Sequence, residues 1–143
     1  MLHSHISEMQ VGTYKKAHRH APDVHIYILS GEGYSLLWFD GDKDFRRVDW
    51  KHSWVFSPED MQCNQHINTG TKPVRYIAFT HGSVLSYDRA DAQGYAKLDR
   101  SVKNGGNQIE YADRDPRIHV MFEQELARKG LTMKMSQATP VSA

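Results

Sequence analysis

Short runs of apolar, β-branched and aromatic residues dominate the first half of the chain, and glycine, proline or aspartate closes most of them. The runs lie at residues 24–29, 34–39, 45–50, 54–57 and 74–80. Runs of this length and composition are typical of β-strands, and the Asp40-Gly41-Asp42 turn between two of them favours a hairpin. Many short strands at close spacing predict an all-β sandwich or small barrel.

One helical pattern is clear, and it lies near the C-terminal end of the sequence. Its apolar positions recur at intervals of three or four residues: Ile118, Met121, Phe122 and Leu126. Asp115 can cap the N-terminus, Pro116 suits the first helical position, and Gly130 lies just past the end. The pattern therefore predicts a helix over residues 116–129.

A length of 143 residues suits one domain with a single core. The patterns divide this expected domain into three parts. Residues 1–11 are expected to form an N-terminal arm, and residues 12–82 are expected to form the barrel core. Residues 83–143 are expected to supply an extended arm, the helix and a tail packed on the same domain. The polar stretch 83–110 indicates a long loop, and such loops are usually functional or interfacial.

Composition narrows the class of protein. A net charge of +1 gives no electrostatic reason to expect nucleic acid or a membrane as a partner. Cys63 is the single cysteine, so no internal disulfide can form and nothing indicates an oxidising compartment. The sequence shows neither a signal peptide nor an apolar run long enough to span a bilayer, so we expect a cytoplasmic protein.

Nine histidines draw attention to metal chemistry, and two of them stand at alternate positions. His18 and His20 precede the apolar run 24–29, and residues at i and i+2 of a strand point to the same face. Neutral imidazole is the commonest metal ligand among side chains. A strand with two histidines on one face therefore indicates half of a metal site.

Two segments carry glycine, proline and histidine at spacings that match a known pattern. The first segment has Gly12, His18, His20 and Gly31. The second, looser segment has Pro58, His66 and Asn68. In these two segments, which together span about half of its length, the chain resembles the cupin superfamily. In the local sequence around the motifs it is most similar to gentisate dioxygenase-like cupins. The resemblance implies an all-β, cupin-type double-stranded β-helix (jelly-roll barrel) with one C-terminal α-helix.

The resemblance also implies a three-histidine metal site with His18 and His20 as two of the ligands. The second motif reads Asn64-Gln65-His66 where gentisate-like cupins have His-x-His. His66 is the best third ligand by chemistry, and its alternative is a catalytic role in contacting substrate or transferring a proton. A literal transfer of the motif instead puts Asn64 at the ligand position.

The glutamate of the first cupin motif is absent. Counting from His20, or back from Gly31, puts Val24 in its place, and a longer spacing puts His25 there. Strict alternation places Val24 and His25 on opposite faces of the strand. His25 is therefore a ligand only if a bulge near residues 22–23 reverses the pattern.

Five further residues are candidates to line a substrate pocket above the metal. They are Tyr34, Trp38, Gln62, Arg75 and Tyr76. Most aromatic residues on the predicted strands are expected in the core, with one or two left to line the pocket. The guanidinium of Arg75 could pair with a substrate carboxylate.

The resemblance implies a mononuclear Fe(II) dioxygenase that cleaves a C–C bond of a small aromatic or enolised oxygen substrate. Three histidines add no ligand charge, so the divalent metal favours an anionic, chelating substrate. Two alternatives stay open: a lyase, isomerase or decarboxylase that uses Zn, Mn or Ni, and a non-catalytic cupin that binds a small molecule. We also expect a homodimer, because residues 83–110 and the helix 116–129 can cover an exposed sheet edge.

Overall fold

The computed structural model describes residues 2–20, 24–81 and 100–135, and these ranges form nine strands and one α-helix. The strands are β1 (Leu2–Met9), β2 (Ala17–His18), β3 (Val24–Ser30), β4 (Glu32–Trp38), β5 (Arg46–Lys51), β6 (Val55–Phe56), β7 (Cys63–Asn68), β8 (Val74–His81) and β9 (Gln108–Ile109), and the helix is α1 (Pro116–Arg128). Most of the predicted arm 83–110 lies outside the described residues, as does the end of the tail.

The strands form two antiparallel sheets, which confirms the predicted all-β class with one C-terminal helix. Sheet A has the strand order β1-β8-β3-β6, and sheet B has the order β5-β4-β7-β2-β9. Consecutive strands of the described ranges lie in different sheets at every step except β4 to β5, which are neighbours in sheet B. Side chains of both sheets meet between them, as in a β-sandwich closed towards a barrel.

Strand β1 forms one edge of sheet A, although the sequence predicted an arm for this segment. Its backbone pairs with β8 along its whole length, from Leu2 opposite His81 to Met9 opposite Val74. The sequence of the strand has no regular alternation of apolar and polar residues. Because the pairing is carried by backbone hydrogen bonds to a distant segment, the local pattern does not reveal it.

The space between the two sheets holds the main apolar core. Most of its buried members come from sheet A, and Trp50 reaches in from sheet B. The residues are Met9, Val24, Ile26, Ile28, Trp50, Val74, Tyr76 and Ala78, with Phe56 packed against them. Strand β3 alternates as its sequence predicted, since every second residue from Val24 to Ile28 is buried while His25 is exposed.

A second apolar cluster lies on the outer face of sheet B, where α1 packs. Its buried members are Tyr14, Tyr34, Leu36, Ile67, Ile118, Phe122 and Leu126. The helix begins at the predicted cap, where the Asp115 side chain accepts a hydrogen bond from the backbone N–H of Arg117 at 2.8 Å. No helix of the described ranges is both long enough and apolar enough to cross a bilayer.

Strand β7 lies in the middle of sheet B and is buried along all six of its residues. Ile67 belongs to the cluster under α1, whereas His66 contacts Phe56 and Tyr76 between the sheets. Because side chains alternate along a strand, Asn64 shares the inward face with His66. One face of this polar strand thus supports the helix, and the other enters the barrel.

Replacing Phe122 by alanine is expected to destabilise the protein by about 3–5 kcal/mol, because the ring is fully buried between α1 and sheet B. The matched control is Val120→Ala, since Val120 lies on the same helix and is 48% exposed. That change is expected to alter the free energy of unfolding by less than about 0.5 kcal/mol. Urea unfolding measures both values, and equal effects would contradict this packing of α1.

Candidate functional site

A β-bulge in the segment leading into β2 decides which side chains enter the space between the sheets. Tyr14 is opposite Ile67 of β7, and His18 is opposite Asn64. This segment advances by four residues between the two pairs, whereas β7 advances by three. The extra residue reverses the facing of the side chains that follow it. Tyr14 therefore packs under α1, while the ring of His18 lies between the sheets.

The bulge brings three histidines together between the sheets. The ring centroids of His18 and His20 lie 5.2 Å apart, and those of His18 and His66 lie 6.2 Å apart. His66 is 3% exposed on the central strand, and His18 and His20 are partly buried. The sequence predicted His18 and His20 as ligands and His66 as the best third ligand beside Asn64 and His25, and the fold places these three histidines together.

Ser35 and Trp50 fix the ring of His66. The Oγ atom of Ser35 lies 2.8 Å from His66 Nδ1 and accepts a hydrogen bond from Trp50 Nε1 at 2.9 Å. A hydroxyl oxygen has two lone pairs, so it can accept from the indole and from Nδ1–H together. In that tautomer the Nε2 lone pair of His66 is available, and Ser35 is the kind of outer partner that metal-ligating histidines have.

His18 is oriented by a backbone group of its own segment. Its Nδ1 atom lies 3.3 Å from the carbonyl oxygen of Lys16, and a carbonyl only accepts, so the proton is on Nδ1. Burial, followed by the charge of His20, lowers the pKa of His18 to about 4. His18 is therefore neutral at physiological pH, with an unprotonated Nε2, and this is the form that binds metals.

The residues whose charges affect the pKa values of these two rings are all basic residues. Burial is the main reason that the pKa of His66 lies well below its usual value, and the charges of His18, Lys15 and His20 act in the same direction. The charges that lower the pKa of His18 belong to His20, Lys15 and His5. No carboxylate of the described residues is among these causes. Among these groups Lys15 is the one that carries a positive charge while the imidazoles are neutral.

Asn64 lies beside the histidines on the inward face of β7 and is fully buried. Its Nδ2 atom donates a hydrogen bond to the carbonyl oxygen of His18 at 3.0 Å. Its Oδ1 atom is buried and has no hydrogen-bond partner in the part of the chain that the structure describes. A buried amide oxygen without a donor is costly, so this oxygen can accept from, or coordinate, a ligand. The role of Asn64 as a metal ligand stays a prediction beside that of His66.

His25 does not join this group. It lies on the exposed face of β3, where its Nδ1 atom contacts the hydroxyl of Ser57. Val24, at the position of the cupin glutamate, points into the apolar core instead. Residues 21–23 are outside the described ranges, and β3 pairs regularly with β8 from Val24 to Ile28. The structure thus corrects the alternative assignment of His25 as a ligand.

Three of the five residues expected to line a substrate pocket lie elsewhere. Tyr34 and Trp38 belong to the outer cluster under α1. Tyr34 is opposite Ile67 in the sheet, and opposed residues share a face, so its ring cannot enter the barrel. Arg75 is exposed on sheet A and pairs with Glu8 at 3.5 Å. Cross-strand register, which a single strand does not encode, decides all three positions.

Tyr76 and Gln62 are placed differently. The Tyr76 ring packs edge-on against His66, with centroids 5.2 Å apart, and so forms part of the wall of the site. Gln62 is 5% exposed at the entry to β7, and its Oε1 atom accepts a hydrogen bond from the backbone N–H of Glu59 at 3.2 Å. The amide of Gln62 therefore helps to close the preceding turn.

No pattern in the sequence indicates Lys15 as a residue of the site. Its Nζ atom donates a hydrogen bond to the Tyr76 hydroxyl at 2.9 Å and lies 5.1 Å from the centre of that ring. The next residue, Lys16, turns outward to Glu110 at 2.5 Å. On a regular strand Lys15 and His18 would face opposite sides, because they are three residues apart. The bulge puts both on the inner side, and no local pattern predicts it.

The donor chemistry of the three histidines fits a divalent transition metal. The ligands are imidazoles, and the Nδ1 atoms of His18 and His66 are already engaged by the protein. As the side chains lie, no three histidine, cysteine, aspartate or glutamate residues of the described chain form a group that could hold an ion. Closing the rings on one ion requires a change of side-chain torsion, and the terminal torsion of histidine is broad.

Solved structures similar to this chain share its fold at low sequence identity. A mutant of Bacillus subtilis oxalate decarboxylase OxdC matches with a TM-score of 0.51 and 18% identity over 55% of this chain and 21% of that chain. CapF with the inhibitor 3-isopropenyl-tropolone matches with a TM-score of 0.52 and 13% identity over 62% and 25%. Peruvianin-I, a cysteine peptidase from Thevetia peruviana latex, matches with a TM-score of 0.50 and 13% identity over 55% and 48%.

The comparisons establish the fold and leave the activity open. The chain has the cupin fold that OxdC and CapF share, as its motifs predicted, whereas the gentisate dioxygenase-like subgroup is not shown. The matched part spans less than half of each of these longer proteins. No protein-family model and no curated protein matches the sequence. A shared fold does not define an activity, so the function depends on the residues of the site.

The metal-free protein is expected to lose stability as the pH falls from about 6.5 to about 4. In the unfolded chain His18 and His66 protonate near the ordinary pKa of 6.5, whereas in the folded protein both pKa values are lowered. The unfolded state then binds more protons, so the free energy of unfolding decreases with falling pH. In this window His18 contributes a slope of about 1.4 kcal/mol per pH unit, and His66 acts in the same direction. Urea titrations at a series of pH values measure the slope.

The variants His18→Gln and His66→Gln supply the comparison, because each removes one titrating ring and keeps a polar side chain. His18→Gln is expected to reduce the slope between pH 6.5 and pH 4 by about 1.4 kcal/mol per pH unit, and His66→Gln is expected to reduce the slope as well. A slope that is the same in the unmodified protein and in both variants would show that these rings titrate normally in the folded state.

Proposed function

We propose that the chain is a metal-dependent cupin enzyme, and more specifically a mononuclear Fe(II) dioxygenase. Its substrate would be a small aromatic or enolised oxygen compound in which a C–C bond is cleaved. The observation that carries the proposal is the convergence of His18, His20 and His66 in the space between the sheets, where His66 is buried. Bound Fe(II) would supply open coordination positions and the redox chemistry.

The residues of the chain define what surrounds this centre. His18 and His66 would bind the metal through Nε2, because a backbone carbonyl and Ser35 Oγ contact their Nδ1 atoms. The rings of Phe56 and Tyr76 pack against His66 with centroid separations of 5.9 and 5.2 Å. These rings keep water from that side of the imidazole and restrict its orientation. In metal-assisted catalysis the protein contributes an oriented ligand and a surface that excludes water.

His66 has a second role in this arrangement if Asn64 supplies an oxygen ligand. The buried Oδ1 atom of Asn64 suits a harder metal ion better than a softer one. His66 would then hold a proton at Nε2 for transfer to or from the substrate, with Ser35 and Trp50 fixing its ring. Both assignments use the same space between the sheets and are separated by metal-binding measurements on the two single variants.

A non-redox lyase, isomerase or decarboxylase that uses Zn, Mn or Ni is the second candidate. The likeness in fold to an oxalate decarboxylase supports it, and a Lewis-acid metal would use the same three imidazoles. The tropolone inhibitor of CapF has two adjacent oxygens, which is the chelating pattern that either candidate requires. Activity that persists without oxygen would favour this second candidate over the dioxygenase.

The variants His18→Ala and His66→Ala are each expected to weaken the binding of a divalent metal by more than about 100-fold, because each loses a ligand. The variant Ser35→Ala is expected to cost about 10- to 100-fold, since it removes only the outer partner of His66. Anaerobic titration of the untagged protein with Fe(II) and Co(II) against a competing chelator measures these affinities. Elemental analysis of protein purified without chelators identifies the metal that it carries.

The matched control is His25→Ala, because this histidine lies on the outer face of β3. It is expected to leave metal affinity unchanged. Protein that holds no metal, or that loses metal equally in His25→Ala, contradicts the proposed centre and favours a non-catalytic cupin. Fe(II)-loaded protein that neither consumes oxygen with catechol-like or hydroxy-acid compounds nor binds them contradicts the dioxygenase.

A further inference from the structure

The ammonium group of Lys15 shares the inner space with the histidines. It donates to the Tyr76 hydroxyl at 2.9 Å, and the Tyr76 ring packs in turn against His66. Its charge acts on both His18 and His66. An ammonium has three donors, and the bond to Tyr76 uses one of them. Lys15 is thus a positioned cation at the candidate centre.

Within the described ranges Lys15 is partly buried and forms no ion pair with a carboxylate, in contrast to Lys16 and Arg75. Lys16 pairs with Glu110, and Arg75 pairs with Glu8. A partly buried cation without a counterion is costly, and an anion that binds beside it removes that cost. The unbalanced charge therefore points to a ligand that carries the missing negative charge.

We propose that Lys15, positioned by Tyr76, binds a carboxylate group of the substrate, so that the substrate is a carboxylate-bearing oxygen chelator. The chelating part of this statement rests on the proposed function, whereas the anion site requires only the two side chains. Lys15 thereby takes the role that was predicted from the sequence for Arg75. A charge-assisted hydrogen bond from a pre-positioned ammonium also fixes the orientation of the chelating oxygens towards the histidines.

Matched ligands with and without the carboxylate test the proposal. Catechol and 3,4-dihydroxybenzoate have the same chelating oxygens and differ only in that group. In Zn(II)-loaded protein, which is inert to oxygen, 3,4-dihydroxybenzoate is expected to bind about 10- to 100-fold more tightly than catechol. Isothermal titration calorimetry measures both affinities. Lys15→Met is expected to abolish this preference while leaving the affinity for catechol within about 3-fold.

Further variants keep the result interpretable if Lys15→Met folds poorly. Lys15→Arg is expected to keep most of the preference, and Tyr76→Phe is expected to reduce it by several-fold, because the ammonium loses its positioning partner. Lys103→Met is the matched control, since Lys103 is exposed and pairs with Asp113 outside the site. It is expected to leave the preference unchanged.

Metal-free protein separates this proposal from the proposed function. Benzoate is expected to shift the Tyr76 and His66 resonances in NMR titrations of the metal-free protein, and Lys15→Met is expected to remove those shifts. If the protein binds no metal but benzoate binding depends on Lys15, the anion site stands and the metal centre fails. If neither benzoate binding nor the preference for 3,4-dihydroxybenzoate depends on Lys15, the anion site is wrong, whatever the metal result.

Discussion

One extra residue in the segment opposite β7 is the constraint on which the candidate site depends. Without it Tyr14 and His18 would share a face, and the first imidazole would pack under α1. The bulge interrupts the regular ladder, but backbone N–H groups on either side of it still find carbonyl partners, from Lys15 to His66 and from Arg19 to Asn107, both at 3.0 Å. The bulge therefore costs few backbone hydrogen bonds. In return it turns the side chain of His18 to the inner face of the sheet.

The bulge turns polar residues inward, beside the apolar core, where burying them costs free energy of folding. Charged imidazoles would be costly in this space, and the lowered pKa values of His18 and His66 show that the fold keeps both rings neutral. In the described residues no carboxylate pairs with the ammonium group of Lys15. The Oδ1 atom of Asn64 accepts no hydrogen bond there. These unpaired polar groups lower the free energy of unfolding of the ligand-free protein. Such local destabilisation is typical of a site that a ligand completes.

Patterns local to the sequence predicted the features that local physics decides. The cap at Asp115, the alternation of β3 and the pairing of His18 with His20 each depend on residues a few positions apart, and the structure has all three. The misplaced residues depend on register between distant strands. Tyr34 faces α1 because it is opposite Ile67, and β1 is a strand because β8 pairs with it. A slip or insertion of one residue reverses a face, so no reading of one strand alone determines these positions.

The double burial of β7 also bears on how such a site can change over evolutionary time. Every residue of this strand is buried, so a substitution that alters the inner face disturbs the sheet that carries α1 on its other side. We therefore expect few substitutions to be tolerated on β7. Positions on the bulged segment and on β8, such as Lys15 and Tyr76, contact the site without supporting the helix. Diversification of ligand preference within this architecture is expected to proceed through those two segments, while the central histidine strand stays fixed.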